Sequence, residues 1–292
     1  MSQQDKNWTM ITGSTGGIGG EIATILAEQG NDLILVNRSV YEGSRQRDKL
    51  LAAHGDLSIE LVTADFMDTG NIFEAIDAID DIPGRIDTLY NVAGVLNSTR
   101  VLSAQGFESN FAVNTLAPYQ LIRGLREKMA RASDTLPAMI MNFSSSAVLR
   151  QKTLDIKNLV NPKEVSGLMG TYAQSKLALT ALTVAIAWDL QRDNILVRAV
   201  DPGATKTSMT TQNDSMPKLL RWLAPLLFQN ADKQAAKVVQ SARPTAFGGR
   251  SGIFVANVKE KGVPIPAADP EIQRQLLALL DHSIRAETAD TH

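Results

Sequence analysis

The chain has 292 residues, 44% of them hydrophobic, with 29 basic against 31 acidic side chains, a formal net charge of −2 and no cysteine. The lack of cysteine excludes disulfides, thiolate metal sites and cysteine nucleophiles, and the three histidines (His54, His282 and His292) are spread too widely to suggest a histidine metal site or a Ser-His-Asp triad. A near-neutral charge argues against a nucleic-acid binder working through a broad basic face, so small-molecule work is expected and no metal.

The first seven residues are polar and lack the apolar core of a signal peptide. The longest apolar-rich run, 177–188, is too short to span a bilayer and stops at Asp189. A cytoplasmic protein without a membrane span is the expectation.

Short apolar runs alternate with longer stretches of helical periodicity, the pattern of βαβ units that feed a parallel sheet. Strands are predicted at 9–12, 33–36, 58–62, 88–91, 138–143, 196–200 and 252–255. Helices are predicted at 18–29, 44–54, 71–79, 107–132, 172–192, 217–227, 233–241 and 270–285. Seven strands suit one doubly wound sheet, and no composition break marks a second domain. A single domain is therefore expected over 1–292, with its core at 9–256 and a C-terminal extension at 257–292. In that extension Ile272, Leu276, Leu277 and Leu280 recur at helical spacing, so it should dock on the body, whereas 286–292 shows no periodicity. Two stretches, 147–169 and 204–216, fit the alternation poorly. Both follow strands at the edge where open α/β sheets bind ligands, and are candidate substrate walls.

The segment Thr12-Gly13-Ser14-Thr15-Gly16-Gly17-Ile18-Gly19 joins the first strand to the first helix. Its glycines can form a tight turn and let a pyrophosphate approach amides at a helix N-terminus, which makes Gly13, Ser14, Thr15, Gly17, Ile18 and Gly19 candidate cofactor contacts. An NAD-binding fold usually ends its second strand with an acidic residue against the ribose hydroxyls; this chain has Asn37 followed by Arg38. No carboxylate repels a 2′-phosphate there and a guanidinium can pair with it, so NADP(H) is expected in preference to NAD(H). After the third strand, Asp65 is placed either to accept from an adenine amino group or to cap a helix, with Phe66 beside it as a further cofactor candidate.

Tyr172 and Lys176 stand four residues apart, on one face of a predicted helix. Alone, such a pair is common. Here it accompanies the glycine segment, Asn91-Val92-Ala93-Gly94 after the fourth strand, Asn114 in a helix, Ser144-Ser145-Ser146 after the fifth strand and Asp201-Pro202-Gly203 after the sixth.

This ordered set resembles the classical short-chain dehydrogenase/reductases, whose T-G-x-x-x-G-x-G, N-N-A-G, Asn, Ser, Y-x-x-x-K and P-G signatures are matched over 9–256. The resemblance implies one α/β domain of Rossmann type, a seven-stranded doubly wound parallel sheet of order 3-2-1-4-5-6-7, and hydride transfer between a nicotinamide and a carbonyl or alcohol. It also implies that Tyr172 donates the proton in reduction and acts as base in oxidation, while Lys176 lowers its pKa and holds the nicotinamide ribose. Ser145 would hydrogen-bond the substrate oxygen and Asn114 would hold a water that extends the proton path. A free tyrosine titrates near about 10, and a neighbouring ammonium moves it toward neutrality.

Family register and strand alternation favour Ser145 over Ser144 and Ser146, although any of the three could instead satisfy loop backbone groups. By the same resemblance Asn91, Ala93 and Gly94 flank the adenosine ribose, with Val92 departing from the usual second asparagine. Pro202 and Gly203 pass the nicotinamide, and Thr207, with Thr205 nearby, reaches its carboxamide.

Ser145 and Tyr172 are 27 positions apart, more than in many classical members. The inserted segment 149–170, with 174–177 and 228–232, is similar to the retinol-dehydrogenase and protochlorophyllide-reductase branch, which mostly prefers NADP(H) and apolar substrates. An apolar aldehyde, ketone or alcohol is therefore expected, with Met209, Met216, Leu220, Trp222, Leu223 and Leu227 near the entrance, although a helix so patterned also suits core or subunit packing. Family homodimers use the helices at 107–132 and 172–192, and an insertion before Tyr172 can block that face; homodimer and monomer both stay open. Two other functions share a nicotinamide site. A non-catalytic NADP(H) sensor would need the nucleotide site but not Asn114, Ser145, Tyr172 and Lys176. A nucleotide-sugar epimerase or dehydratase is disfavoured by the glycine spacing and by the lack of a larger C-terminal substrate domain.

Overall fold

Along β1 (Asn7–Thr12), Met10 points to one face of a sheet and Ile11 to the other, and both are fully buried. A strand that is apolar on both faces must be covered on both. The same holds for β2 (Asp32–Asn37), and these two lie inside a sheet completed by β3 (Ile59–Thr63), β4 (Arg85–Asn91), β5 (Ala138–Phe143), β6 (Ile195–Asp201), β7 (Ile253–Ala256) and β8 (Lys259–Lys261). The computed structural model describes residues 6–130, 136–163, 170–203 and 230–288. Its strand order is 3-2-1-4-5-6-7-8, with every pair from β3 to β7 parallel. The order in which successive strands are added reverses between β1 and β4, which opens a crevice at the carboxyl ends of the strands.

The seven parallel strands fall where the alternation predicts, but the sheet has an eighth. β8 returns antiparallel to β7 through Asn257 and Val258, both at positive φ (51° and 56°), a region most residues avoid. This is the backbone of a two-residue type I′ hairpin. The usual sequence sign is Asn-Gly, and Lys-Glu-Lys carries no apolar alternation, so nothing in the sequence announces this strand.

On one face of the sheet lie α1 (Gly17–Glu28) and α2 (Val40–Ala53), packed through Ile18, Ile22, Leu26 and Leu50. α3 (Thr69–Asp80) covers the other through Ile72 and Ile76. The predicted helix 107–132 is broken into α4 (Ser109–Phe111), a π-helical turn (Ala112–Leu116), α5 (Ala117–Gly124) and α6 (Arg126–Ala130). Pro118 has no N–H to give the Asn114 carbonyl four residues earlier, and a π turn absorbs such a mismatch.

The inserted segment contributes α7 (Ile156–Leu159), and the tyrosine and lysine ride on α8 (Gly170–Gln191). α8 is apolar nearly all round because it is covered twice. Its inner side meets the sheet, while Leu177 and Leu182 pack in one cluster with Leu276 and Leu280 of the C-terminal extension. α9 (Ala231–Ser241) returns to the α1 face, and α10 (Ile265–Ala268) and α11 (Pro270–Thr288) follow. α11 docks as expected, and Tyr119 of α5 donates to Asp281 Oδ1 at 2.6 Å while Arg123 pairs with the same carboxylate. The predicted helix 217–227 lies outside the described residues. Among those described, no helix is long and apolar enough to cross a membrane.

Arg198 of β6 is fully buried, and among the described residues it pairs with no carboxylate. All five of its N–H groups donate to backbone carbonyls, those of Arg250, Ser241, Arg243, Pro244 and Ala246, at 2.8 to 3.1 Å. The guanidinium also lies 5.3 Å from the Phe247 ring centroid, and burial brings its pKa down to about 10. One side chain thereby organises the whole connection from α9 to β7. Arg198→Met should lower the unfolding free energy by about 3 kcal/mol or more, since it strands several buried acceptors. A loss below about 1 kcal/mol in chemical denaturation would show that the connection closes by itself.

Candidate active site

The turn from β1 into α1 requires glycine at two positions. Gly13 has φ +70° and a Cβ there would lie 3.0 Å from the Ala93 Cα, while a Cβ on Gly19 would lie 2.2 Å from the Gly13 oxygen. The chain thus doubles back tightly onto the helix. At its N-cap, Gly16, no side chain caps α1, and its first turn holds no acidic residue. Unpartnered helix amides and the positive end of the helix dipole therefore meet the exposed Thr15 and Gly16. That donor set, with no side chain in the way, fits the pyrophosphate of a dinucleotide.

Neighbouring contacts hold this cradle. Thr12 Oγ1 accepts from the amides of Val92 and Ala93, each at 3.0 Å, which binds the turn after β4 to the turn after β1. Asn37 Oδ1 accepts from Ser14 N at 2.8 Å, and its Nδ2 donates to Ser14 Oγ at 2.9 Å. Asn37 is therefore buried and turned inward on the glycine loop, and Arg38 is the exposed residue at that strand end. The other candidates behave variously. Asn91 Nδ2 donates to Asn142 Oδ1 at 2.9 Å inside the sheet, and the side chains of Ile18 and Phe66 belong to the core. Asp65 Oδ1 accepts from Met67 N at 3.0 Å in a local turn, and it is Asp68 that caps α3.

The three serines after β5 go to three different partners. Ser144 Oγ lies 2.7 Å from Thr180 Oγ1 on α8, Ser145 Oγ accepts from Ala147 N at 3.2 Å and stands close enough to Tyr172 to act on its hydroxyl, and Ser146 faces Asp201. Ser145 thus serves a loop amide, the role the sequence left open for any of the three, and of the three it is the one that acts on the tyrosine hydroxyl. Lys176 is 4% exposed, its Nζ donates to the Phe143 carbonyl at 2.7 Å and stands 6.0 Å from the Tyr172 ring centroid. Asn114 is fully buried: Oδ1 accepts from Val95 N at 2.9 Å, and Nδ2 donates to Val95 O at 2.9 Å and Ser175 Oγ at 3.0 Å. Gly94 lies between the two, since a Cβ there would sit 2.9 Å from Asn114 Oδ1 and 3.3 Å from Lys176 Nζ. Gly203 follows β6 at φ +83°. Thr205, Thr207 and the apolar residues from Met209 to Leu227 lie outside the described residues.

The electrostatics run opposite to the expected lowering of the tyrosine pKa. Burial pushes the Tyr172 hydroxyl above its usual value, the bond from Ser145 works against that rise, and the charge of Asp201 adds to it. Lys176 does not offset the rise because burial brings its own pKa down to about 7. The two side chains still leave a hydroxyl donor, a second hydroxyl and a titratable amine around one point at the carboxyl end of the sheet. Such a set can bind a carbonyl oxygen and exchange a proton with it.

Several supporting residues carry no distinctive sequence signal. Ser175 Oγ donates to the Tyr172 carbonyl at 2.8 Å, and Thr115 Oγ1 donates to the Ser175 carbonyl at 2.8 Å. Asn110 Nδ2 contacts Glu108 Oε1 at 2.8 Å and Thr171 Oγ1 at 3.0 Å, next to the tyrosine. In sequence, Glu108 reads only as a helix cap. The insertion is tied down by Gln174, whose Oε1 accepts from Asp155 N at 2.9 Å and whose Nε2 donates to Gln151 Oε1 at 2.8 Å.

Burial of Lys176 has a measurable consequence. Its proton affinity is depressed in the folded chain, so between about pH 7 and its ordinary pKa the unfolded chain binds more protons and stability rises with pH. Compared with Lys176→Met, the native protein should gain on the order of 2 kcal/mol of unfolding free energy from about pH 7 to about pH 9. A difference that is flat with pH would mean the ammonium stays solvated in the folded protein.

The family model described as Enoyl-(Acyl carrier protein) reductase matches residues 13–242. Retinol dehydrogenase 13 of Homo sapiens is 27% identical over 284 residues, covering 92% of this chain and 82% of the relative. Short-chain dehydrogenase TIC 32 A, chloroplastic, of Brassica napus is 28% identical over 233 residues, covering 78% of this chain and 72% of the relative. In structure, the Pseudomonas aeruginosa RhlG/NADP active-site complex aligns with TM-score 0.69 at 22% identity, covering 88% of this chain and 97% of the other. With the glycine cradle and the Ser145–Tyr172 pair at one sheet edge, the chain belongs to the short-chain dehydrogenase/reductase family, nicotinamide-dependent oxidoreductases that act on CH–OH and C=O groups.

Proposed function

We propose that this chain is a single-domain NADP(H)-dependent carbonyl reductase or alcohol dehydrogenase for an apolar small molecule, with Tyr172 as its acid and base. The observation that carries this reading is Tyr172 over buried Lys176, which donates to the Phe143 carbonyl two residues before Ser145, at the same sheet edge as the uncapped start of α1. The nicotinamide supplies the hydride in reduction and takes it up in oxidation.

In reduction Tyr172 gives its proton to the carbonyl oxygen, and in oxidation it takes the hydroxyl proton back. Ser145 donates to that same oxygen and fixes its distance from Tyr172. Lys176 holds the nicotinamide ribose and lies next in the path that reprotonates the tyrosine. Both side-chain donors of Asn114 already have partners, so a water on that path would rest on its main-chain carbonyl, which Pro118 cannot serve. The amides of Gly13, Ser14, Thr15, Gly17, Ile18 and Gly19 suit the pyrophosphate, Asn91, Ala93 and Gly94 the adenosine ribose, Asp65 and Phe66 the adenine, and Pro202, Gly203, Thr205 and Thr207 the nicotinamide.

NADP(H) is favoured because Asn37 is turned inward on Ser14, leaving the exposed Arg38 as the group at the strand end that can pair with a 2′-phosphate. The retinol dehydrogenases among the relatives act on an apolar alcohol by name, which supports an apolar substrate here. The sensor reading needs the cradle alone and leaves the buried lysine and paired hydroxyls without a purpose.

Purified protein incubated with NADPH and a panel of apolar aldehydes and ketones should consume NADPH, and Tyr172→Phe should bind NADPH yet turn over at least about a hundredfold more slowly. Equal rates in the two proteins would overturn the assignment of Tyr172. Arg38→Ala should weaken NADPH binding by about 1.5 to 3 kcal/mol more than NADH binding. Equal losses for the two cofactors would place recognition of the 2′-phosphate elsewhere.

A further inference from the structure

Asn110 in α4 and Asn114 in the π-helical turn are both fully buried, and their side chains make one pattern of contacts twice. Asn114 accepts from the amide of Val95, donates to the carbonyl of the same residue and donates to Ser175 Oγ on α8, at 2.9 to 3.0 Å. Asn110 does likewise one turn earlier: Oδ1 accepts from Asn97 N, and Nδ2 donates to Asn97 O and to Thr171 Oγ1, each at 3.0 Å. The pattern repeats because the strides agree. Four residues of helix advance about 6 Å, on the asparagine side and on the α8 side alike, and two residues of open chain cover about the same distance. Asn110 has a further partner in Glu108, a buried carboxylate whose Oε1 accepts from Nδ2 at 2.8 Å. A flipped amide would turn its oxygen on that carboxylate and on Asn97 O, so the amide faces one way.

Tyr172 lies between the two contacts on α8, and Ser175 Oγ also donates to the Tyr172 carbonyl at 2.8 Å. We propose that Asn110 is a positioning residue for Tyr172: through Thr171 it holds the turn of α8 before the tyrosine, as Asn114 through Ser175 holds the turn after it. This rests on the hydride-transfer reading above. Asn110 takes no part in the proton transfer itself and acts through Thr171. Held at Ser175 alone, the first turn of α8 can pivot, because apolar packing is non-directional; a second directed contact one turn away removes that freedom. A shift of about 1 Å in the tyrosine hydroxyl is enough to cost about a hundredfold in rate. The Glu108 amide also donates to the Val160 carbonyl at 2.6 Å, so the same hub joins the inserted segment to the turn that carries Tyr172.

The test centres on Thr171→Val, which keeps the shape of the side chain and deletes the acceptor, and on Thr171→Ser, which keeps the acceptor. Each is assayed for reduction of an aldehyde or ketone accepted in the panel, with kcat counted per NADPH site titrated, so that loss of folded protein does not enter. Thr171→Val should lower kcat about tenfold or more and leave the NADPH dissociation constant within about twofold, and Thr171→Ser should recover the rate. Asn110→Ala should lose at least as much, and adding Thr171→Val to it should lower kcat no further, since both break one contact. Native kcat per site in Thr171→Val, whatever its melting temperature, would overturn the inference, as would a Thr171→Ser as slow as Thr171→Val or losses that multiply in the double variant. Should Asn110→Ala fail to fold, Thr171→Val against Thr171→Ser decides alone. An inactive Tyr172→Phe beside a fully active Thr171→Val overturns this inference and leaves the hydride-transfer reading standing. Turnover surviving in Tyr172→Phe would overturn that reading itself.

Discussion

The bond from Lys176 Nζ to the Phe143 carbonyl joins α8 to the carboxyl end of β5, and the geometry of the site depends on that junction. A helix meeting a sheet end on could slide or roll, because apolar packing is non-directional. Here buried polar contacts fix it at successive turns: Thr171 to Asn110, Ser175 to Asn114 and to Thr115, Ser144 to Thr180. Each is largely shielded from water, where a lost partner is costly, so the set defines one placement of Tyr172. The C-terminal extension covers the outer side of the same helix, with α11 adding an apolar seam and the Asp281 contacts to α5.

That placement works against the ionisation behaviour of its own residues. The lysine is buried among groups that offer it one carbonyl, and the tyrosine hydroxyl is desolvated, so each is disfavoured in its charged form. Groups held this way are common where a protein keeps acid–base chemistry ready at the expense of stability. Arg198 shows the structural counterpart: it is just as buried, but five carbonyls satisfy it and it lies in the connection from α9 to β7.

Most of the sheet was legible because strands covered on both faces are written as unbroken apolar runs between glycines and helices. β8 was not, since an Asn-Val turn and a charged strand carry neither the turn signal nor the alternation. The break at Ala112–Leu116 was hidden in a continuous helical period, although Pro118 marks where it had to give. In the site, the placement of Tyr172 and Lys176 on one helix could be read directly. The inward turn of Asn37 and the upward displacement of the tyrosine pKa could not. Both depend on which neighbours a side chain meets and how far water is excluded, and neither is a property of local sequence.

The central claim is that the cradle at α1 and the Ser145–Tyr172–Lys176 cluster serve one reaction, direct hydride transfer to a carbonyl carbon. Its most direct test is reduction of an accepted aldehyde or ketone with NADPH carrying deuterium at both C4 positions of the nicotinamide, with the product alcohol analysed by mass spectrometry. The account predicts one deuterium on the carbinol carbon of each alcohol formed. Product without the label, or NADPH consumed with the label released to water, would contradict it.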